Sequence, residues 1–353
     1  MFKTSFDDVF LESYSVHLPE RELTSTEIES RLGPLYEQLD IPIGTLERLS
    51  GIVSRRMFPL DMRPSEAATV AARQALAKSE IDPVRIGVLV NCSVTRDYFE
   101  PATATVVHAN LGLREDAAVF DLTNACLGFS NGIQIVGLMI ESGAIDAGLI
   151  VSAEQVAPVL EHAIEVLLQD RSLSREGFLR ALPTFTLGCG AVAAVLCRGS
   201  LCGSGHRFVG CTARSATQYH GLCKGNADCC YERKNGVNPI METDARGIVR
   251  EGGELGARCW ADFASAFGWS RDQVDHVFMH NIGRQNNDHL YETMGHDYAK
   301  SFHIYEHLGN LASASLPAAL FTGVECKPVR SGEKIVLLGF GSGLNSMCFG
   351  IDW

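Results

Sequence analysis

Phe120-Asp-Leu-Thr-Asn-Ala-Cys126-Leu-Gly-Phe-Ser-Asn-Gly132 passes from a strand-like opening, through a cysteine, into Ile133-Gln-Ile-Val-Gly-Leu138, an apolar helical continuation. That order predicts a strand, a sharp turn and a buried helix, with Cys126 at the turn. A helix start offers unpaired backbone N–H groups and a partial positive charge, and both favour thiolate. Small neighbours, Ala125 and Gly128, leave room for a substrate. On this stretch alone an inert buried cysteine explains the pattern as well, because most cysteines are of that kind.

Outward from the turn, β-branched runs alternate with helical patterns, the mark of an α/β chain. Ser65 to Ala77 reads as a helix capped by Ser65. Beyond the turn at Asp82-Pro83, Ile86 to Cys92 is a short apolar run of the kind buried on both faces of a sheet. Ala147–Ala153 and Ala191–Cys197 read the same way. The second half repeats the order, with a helix from Glu251 to Phe267 and strands at Val274–His280 and Lys334–Gly339. The step from Cys92 to Cys126 matches the step from His280 to Asn310 to within a few residues. This spacing predicts two similar α/β halves, residues 1–200 and 201–353, divided near Gly199–Gly205 with a site between them.

Two residues of the second half suit the chemistry of a reactive cysteine. His280 ends a strand in Phe278-Met-His280-Asn-Ile-Gly-Arg284, where an imidazole can face a cleft and exchange protons. Asn310 follows Gly309 at a helix opening, and its amide can donate to an oxyanion without titrating. A structural histidine and an ordinary N-cap are the bland alternatives. Leu338-Gly-Phe-Gly-Ser-Gly343-Leu-Asn345 sets three glycines after the last main strand, close enough together to present N–H groups to a ligand. It matches no phosphate-binding pattern, so no nucleotide site is expected.

The 353 residues are 46% hydrophobic and 20% charged, with a formal charge of −12, an ordinary globular balance. That charge argues against nucleic acid, and weakly favours free coenzyme A over an acidic carrier protein. No run approaches a membrane span, and the start, MFKTSFDDVFLESYSVHLPE, is too acidic and interrupted for a signal peptide. The expected location is therefore the cytoplasm. Cys202, Cys211, Cys223, Cys229 and Cys230 cluster along the chain without CxxC pairs, so free thiols are expected rather than a metal site.

With these pieces in place, the chain resembles the thiolase superfamily, in the branch of β-ketoacyl-carrier-protein synthase III. The likeness runs from Gly51-Ile-Val-Ser-Arg-Arg56 through the cysteine turn and Gly188-Cys-Gly-Ala191 to the glycine loop. Within that branch it is similar to the head-to-head acyl-CoA condensing enzymes of bacterial long-chain olefin synthesis. The stretches that carry this are Ser93–Pro101, Leu187–Gly190, Ala213–Thr217, Leu222–Asn226 and Gly341–Asn345.

The resemblance implies a thiolase fold, a five-layered αβαβα sandwich of two α/β halves. It implies Cys126, His280 and Asn310 as the catalytic group, with backbone N–H groups of Cys126 and Ser342 as an oxyanion hole. It also implies that Glu100, 26 positions before Cys126, enters the active site of a homodimer partner. There it would act as the base that removes a proton from an unactivated acyl thioester. Tyr98, Phe99 and Pro101 around it suggest a partly buried, fixed loop. The expected reaction is Claisen condensation of two acyl-CoA molecules to a β-keto acid, with no cofactor beyond the coenzyme A of the substrates. The product would pass to further enzymes of the same route.

Decarboxylative condensation with a malonyl thioester, acyl transfer to an oxygen or nitrogen acceptor, and a non-catalytic role in a heterodimer stay open. The departures are Asn281, where relatives more often carry glutamine, His289, His296 and the segment 228–239. They bear on the second-substrate pocket and the coenzyme A contacts.

Overall fold

The computed structural model describes residues 1–225 and 241–353. Asn226, Cys229, Cys230 and the segment 228–239 named above lie outside the described residues. Ten strands form one large sheet: β1 Phe2–Ser5, β2 Phe10–His17, β3 Ile86–Asn91, β4 Ala118–Asp121, β5 Ala147–Glu154, β6 Gly190–Cys197, β7 His206–Ser215, β8 His276–Met279, β9 Lys334–Gly341 and β10 Asn345–Asp352. The helices that matter for the site are α1 Pro64–Lys78, α2 Thr103–Leu111, α3 Gly128–Glu141, α4 Ala157–Gln169, α5 Ala245–Phe267, α6 Arg284–Met294 and α7 Ser315–Cys326.

The strand order is β8-β9-β10-β7-β2-β6-β5-β3-β4, with β1 added alongside β7. It contains a repeat. β3 runs parallel to β5, which is antiparallel to β6, which is antiparallel to β2. In the same way β8 runs parallel to β9, which is antiparallel to β10, which is antiparallel to β7. The two sets meet through a short antiparallel pairing of Phe10 and Leu11 with Arg207 and His206.

The layers follow from alternation along the strands, since neighbouring side chains point to opposite faces. On β6, Ala191, Ala193 and Val195 join one buried cluster, while Val192, Ala194 and Leu196 join another. On β9, Ile335 and Leu337 join that second cluster, while Val336 and Leu338 join a third. The second cluster is therefore shared by both sets of strands, and it also holds Phe129 and Ile133 of α3 with Leu316 and Leu320 of α7. Helices α1 and α4 cover the outer face of one set, in the first cluster, and α5 and α6 that of the other. The result is the five-layered αβαβα sandwich of the thiolase fold.

One local expectation is corrected. Ser65 does not cap α1: the N-cap is Arg63, with Pro64 in the first turn. The carboxylate of Asp97, from a distant loop, accepts the Ser65 backbone N–H at 2.9 Å and the Ser65 hydroxyl at 2.5 Å. A side chain 32 residues away thus does the capping.

Candidate active site

Cys126 lies two positions before α3, half-buried, in a turn closed by the Leu127 N–H on the Asn124 carbonyl at 2.9 Å. Ala125 carries the turn at φ +46°, a left-handed backbone that costs an L residue about 1 kcal/mol or more. Gly128 is needed next to it, because a Cβ there would sit 2.2 Å from the carbonyl oxygen of Cys92 at the end of β3. Gly339 on β9 serves similarly: a Cβ would meet the Leu127 side chain at 2.4 Å.

His280 follows β8 and is buried. Its N–H donates to the Leu338 carbonyl at 3.0 Å, and its own carbonyl accepts from Asn287 Nδ2 at 3.2 Å. The cysteine turn and the histidine therefore rest on one stretch of β9, Leu338 to Gly341. The next turn holds Ser342, half-buried, whose carbonyl accepts from Asn345 Nδ2 at 3.2 Å. The same Nδ2 donates to Asn124 Oδ1 at 3.4 Å, so the glycine loop lies against the cysteine turn.

Asn310 is buried between two segments. Its N–H donates to the Thr186 carbonyl at 2.9 Å and its carbonyl accepts from Gly188 at 3.0 Å. Its Oδ1 accepts the Ala312 N–H at 2.9 Å, which fixes the amide and leaves Nδ2 as the end able to donate outward. Ser315 Oγ donates to the carbonyl of Asn281, linking this segment to the one that bears His280.

Glu154, at the end of β5, is a residue that sequence reasoning missed. It is fully buried and accepts from Val94 N–H at 2.9 Å, Thr95 N–H at 3.1 Å and Ser313. It thus joins the Asn310 segment to the loop leading to Glu100. A carboxylate closing the buried run Ala147–Ala153, in which Ser152 is the only other polar side chain, is the signal that could have found it.

The electrostatics correct one expectation. Burial, then the charges of Cys223 and Glu154, push the Cys126 thiol up to about 12, against the thiolate expected from a helix start. The helix begins only at Gly128, and desolvation outweighs its N–H groups. Burial also holds His280 down to about 4, so thiol and imidazole are both neutral at pH 7. Cys223 is a second unforeseen neighbour. Cys211 is instead a buried strand residue of β7, and Cys202 lies beside Cys197, so among the described residues Cys202, Cys211 and Cys223 do not form one cluster in space.

Glu100 is exposed, and so are Tyr98 and Phe99, the latter by 90%. The expected partly buried loop is thus absent within a single chain. Within the chain the loop is held at its base by Glu154 and by Asp97 on Ser65, and by the Arg63 guanidinium 4.8 Å over the Tyr98 ring, while Phe99 and Glu100 stand free of these contacts. Among the described residues no hydrogen bond ties Glu100 to Cys126, His280 or Asn310. Of the departures, Asn281 is a structural hub: its Oδ1 accepts from Ile304 and its Nδ2 donates to the Met279 carbonyl. His289 bonds Thr293 on α6, and His296 packs edge-on to Trp260.

The chain matches the model of 3-oxoacyl-[acyl-carrier-protein (ACP)] synthase III over residues 120–215, and that of the synthase III C-terminal region over residues 264–353. It is 36% identical over 351 residues to an acyl-CoA:acyl-CoA alkyltransferase of Shewanella oneidensis, covering 99% of each chain. It is 38% identical over 331 residues to the Xanthomonas campestris protein of the same name, covering 94% of each. Among solved structures, X. campestris OleA with a cysteine-to-serine substitution and bound lauric acid and lauroyl-CoA superposes with a TM-score of 0.92. The identity there is 36%, with 99% of this chain and 100% of the other covered.

Proposed function

The chain belongs to the 3-oxoacyl-[acyl-carrier-protein] synthase III family, among its acyl-CoA:acyl-CoA alkyltransferases, and on that premise we propose how its residues divide the reaction. It is an acyltransferase that joins two fatty acyl-CoA thioesters by Claisen condensation through an acyl-cysteine, giving a β-keto acid. The observation that carries the assignment is the common seat of Cys126 and His280 on Leu338–Gly341, with Asn310 tied in through Ser315.

The Cys126 sulfur attacks the first thioester carbonyl, and backbone N–H groups of Cys126 and Ser342 hold the oxyanion. The thiol proton passes to the departing coenzyme A by way of the neutral His280 imidazole. The first acyl chain would have to enter the apolar layer between α3 and α7 by parting the close-packed side chains of Phe129, Ile133, Leu196, Leu316, Leu320 and Leu337, which leave room for little more than one water molecule. The second thioester oxygen then sits against His280 and Asn310 Nδ2, which stabilise its enolate. Glu100 of a second copy removes the α-proton, the carbanion attacks the acyl-cysteine, and hydrolysis releases the β-keto acid.

Two features support Glu100 in this role. Its loop projects Phe99 and Tyr98 into solvent, as a surface buried by a second copy would. In X. campestris OleA, the glutamate and the cysteine that were substituted for structural work have the same separation as Glu100 and Cys126. Residues 1–200 would form the half bearing the nucleophile and 201–353 the half bearing His280 and Asn310. No resident cofactor enters the scheme. We place the enzyme in the cytoplasm; among the described residues no helix is long and apolar enough to cross a membrane. Its product would be consumed by a further enzyme.

Intact-protein mass spectrometry after mixing with one acyl-CoA tests the division of roles. Cys126→Ala should lose the acyl adduct, while Glu100→Gln should keep it and form no coupled product. Normal coupling by Glu100→Gln would remove Glu100 from the scheme.

A further inference from the structure

Away from this site, β6 ends at Cys197 and the chain loops past β2 through residues 198–205 into β7, which runs in the same direction, and the loop brings Cys202 back beside Cys197. The two sulfur atoms and a carboxylate oxygen of Glu12 lie within 4.8 Å of one another. Cys197 is fully buried and Cys202 is half-buried. The Cys202 sulfur lies within 4.8 Å of the Cys197 sulfur, accepts the Gly205 N–H at 3.4 Å, and lies 3.3 Å from the Ser204 hydroxyl. Those partners, Cys197 first, hold Cys202 down to about 6, while the same pairing and burial push Cys197 up. Glu12 is committed elsewhere, accepting the Glu80 N–H at 3.0 Å and the Gly203 N–H at 2.7 Å. It shapes the loop, which leaves the two sulfurs as the reactive part of the cluster.

We propose that Cys197 and Cys202 are a thiol pair that hydrogen peroxide converts to an intramolecular disulfide, with Cys202 as the attacking sulfur and Cys197 as the resolving one. The asymmetry fits. A nucleophile must be reachable and ionised, and its resolving partner only needs to be adjacent. In the first step the Cys202 thiolate attacks one peroxide oxygen, the O–O bond breaks, and the other oxygen leaves as hydroxide and is protonated to water. In the second, the Cys197 sulfur displaces hydroxide from the sulfenic acid, and its proton completes the second water. Two thiols thus lose two hydrogens and one peroxide becomes two waters. Closing to a bond of about 2.0 Å needs only a local shift of the loop, which contains Gly199, Gly203 and Gly205. Cys126, held as a thiol, is the poorer target, so oxidation falls on this pair before it reaches the catalytic sulfur.

The test uses the intact protein, hydrogen peroxide at neutral pH, alkylation of remaining thiols, and tryptic peptide mapping. Cleavage after Arg198 and Arg207 puts Cys197 and Cys202 in separate peptides. The expected result is a joined pair two hydrogens lighter than its parts, separated by dithiothreitol, while Cys126 is still alkylated. In Cys197→Ser, Cys202 should then accumulate as sulfenic acid, with about tenfold more dimedone adduct than in the unmodified chain. Joined peptides not found, with both cysteines alkylated as in untreated protein, would overturn the proposal. So would Cys126 oxidising first, or Cys202 advancing to sulfinic acid beside a reduced Cys197.

Discussion

Ser315 Oγ donates a hydrogen bond of 2.9 Å to the carbonyl of Asn281, so the residue after His280 is held by the first residue of the helix that follows Asn310. The two groups assigned to the enolate oxygen are thereby fixed to each other, independently of Cys126. Replacing Ser315 by Ala removes a buried bond worth about 1 kcal/mol and leaves the Asn281 carbonyl without that donor. Acylation of Cys126 should stay near its normal rate while coupling falls about fivefold, measured as adduct formation against product release. Equal losses in both steps would mean that the bond merely supports the fold.

The neutral state of Cys126 has a direct reactivity signature. Alkylation by iodoacetamide, followed at the Cys126 peptide, should rise with pH from 7 through 10, as expected for a thiol pushed up to about 12. A rate already flat above pH 6 would show a resting thiolate, and the description of a thiol–imidazole pair would fail.

Acid sensitivity follows from the buried histidines. His280 and His296 are both held down to about 4, His280 by burial and His296 by burial and then by Arg271 and Lys300. Between the unfolded value near 6.5 and about 4, the unfolded chain binds protons that the folded chain does not, so stability falls as pH drops through that window. Each group contributes about 3 kcal/mol at most. His280→Asn should flatten the dependence of melting temperature on pH from 6.5 to 4, whatever its effect at pH 7. An unchanged slope would place the His280 imidazole in contact with water.

Glu100 acting across a dimer predicts complementation. Cys126→Ala and Glu100→Gln proteins, each inactive in coupling, should regain about a quarter of normal activity when unfolded together, mixed and refolded, since half the dimers then carry one complete site. No recovery from a mixture that demonstrably forms hybrid dimers would confine Glu100 to its own chain.

The sequence was most readable where local pattern and function coincide. The strand–turn–helix around Cys126, the strand before His280 and the opening before Asn310 each depend on residues within a few positions. What could not be read locally came from across the fold. Asp97 caps α1 from 32 residues away, and the loop that carries the chain past β2 from β6 to β7 sets Cys202 beside Cys197 rather than beside Cys211 or Cys223. Glu154 carries a signal, a carboxylate at the end of a buried strand, but its meaning rests on donors from two distant segments, Val94–Thr95 and Ser313. The protonation state of Cys126 escapes the local pattern for a similar reason: helix geometry argues for thiolate, while burial pushes the thiol up to about 12. The exposed tip around Glu100 shows the converse, since its proposed role lies in contact with a second chain.

The central claim is that condensation needs no malonyl donor. Purified protein given a single long-chain acyl-CoA alone, with products read by mass spectrometry, should release a β-keto acid or the ketone formed when it loses carbon dioxide. Acylated Cys126 with no coupled product, and coupling only once a malonyl thioester is supplied, would contradict it and make this a decarboxylative synthase.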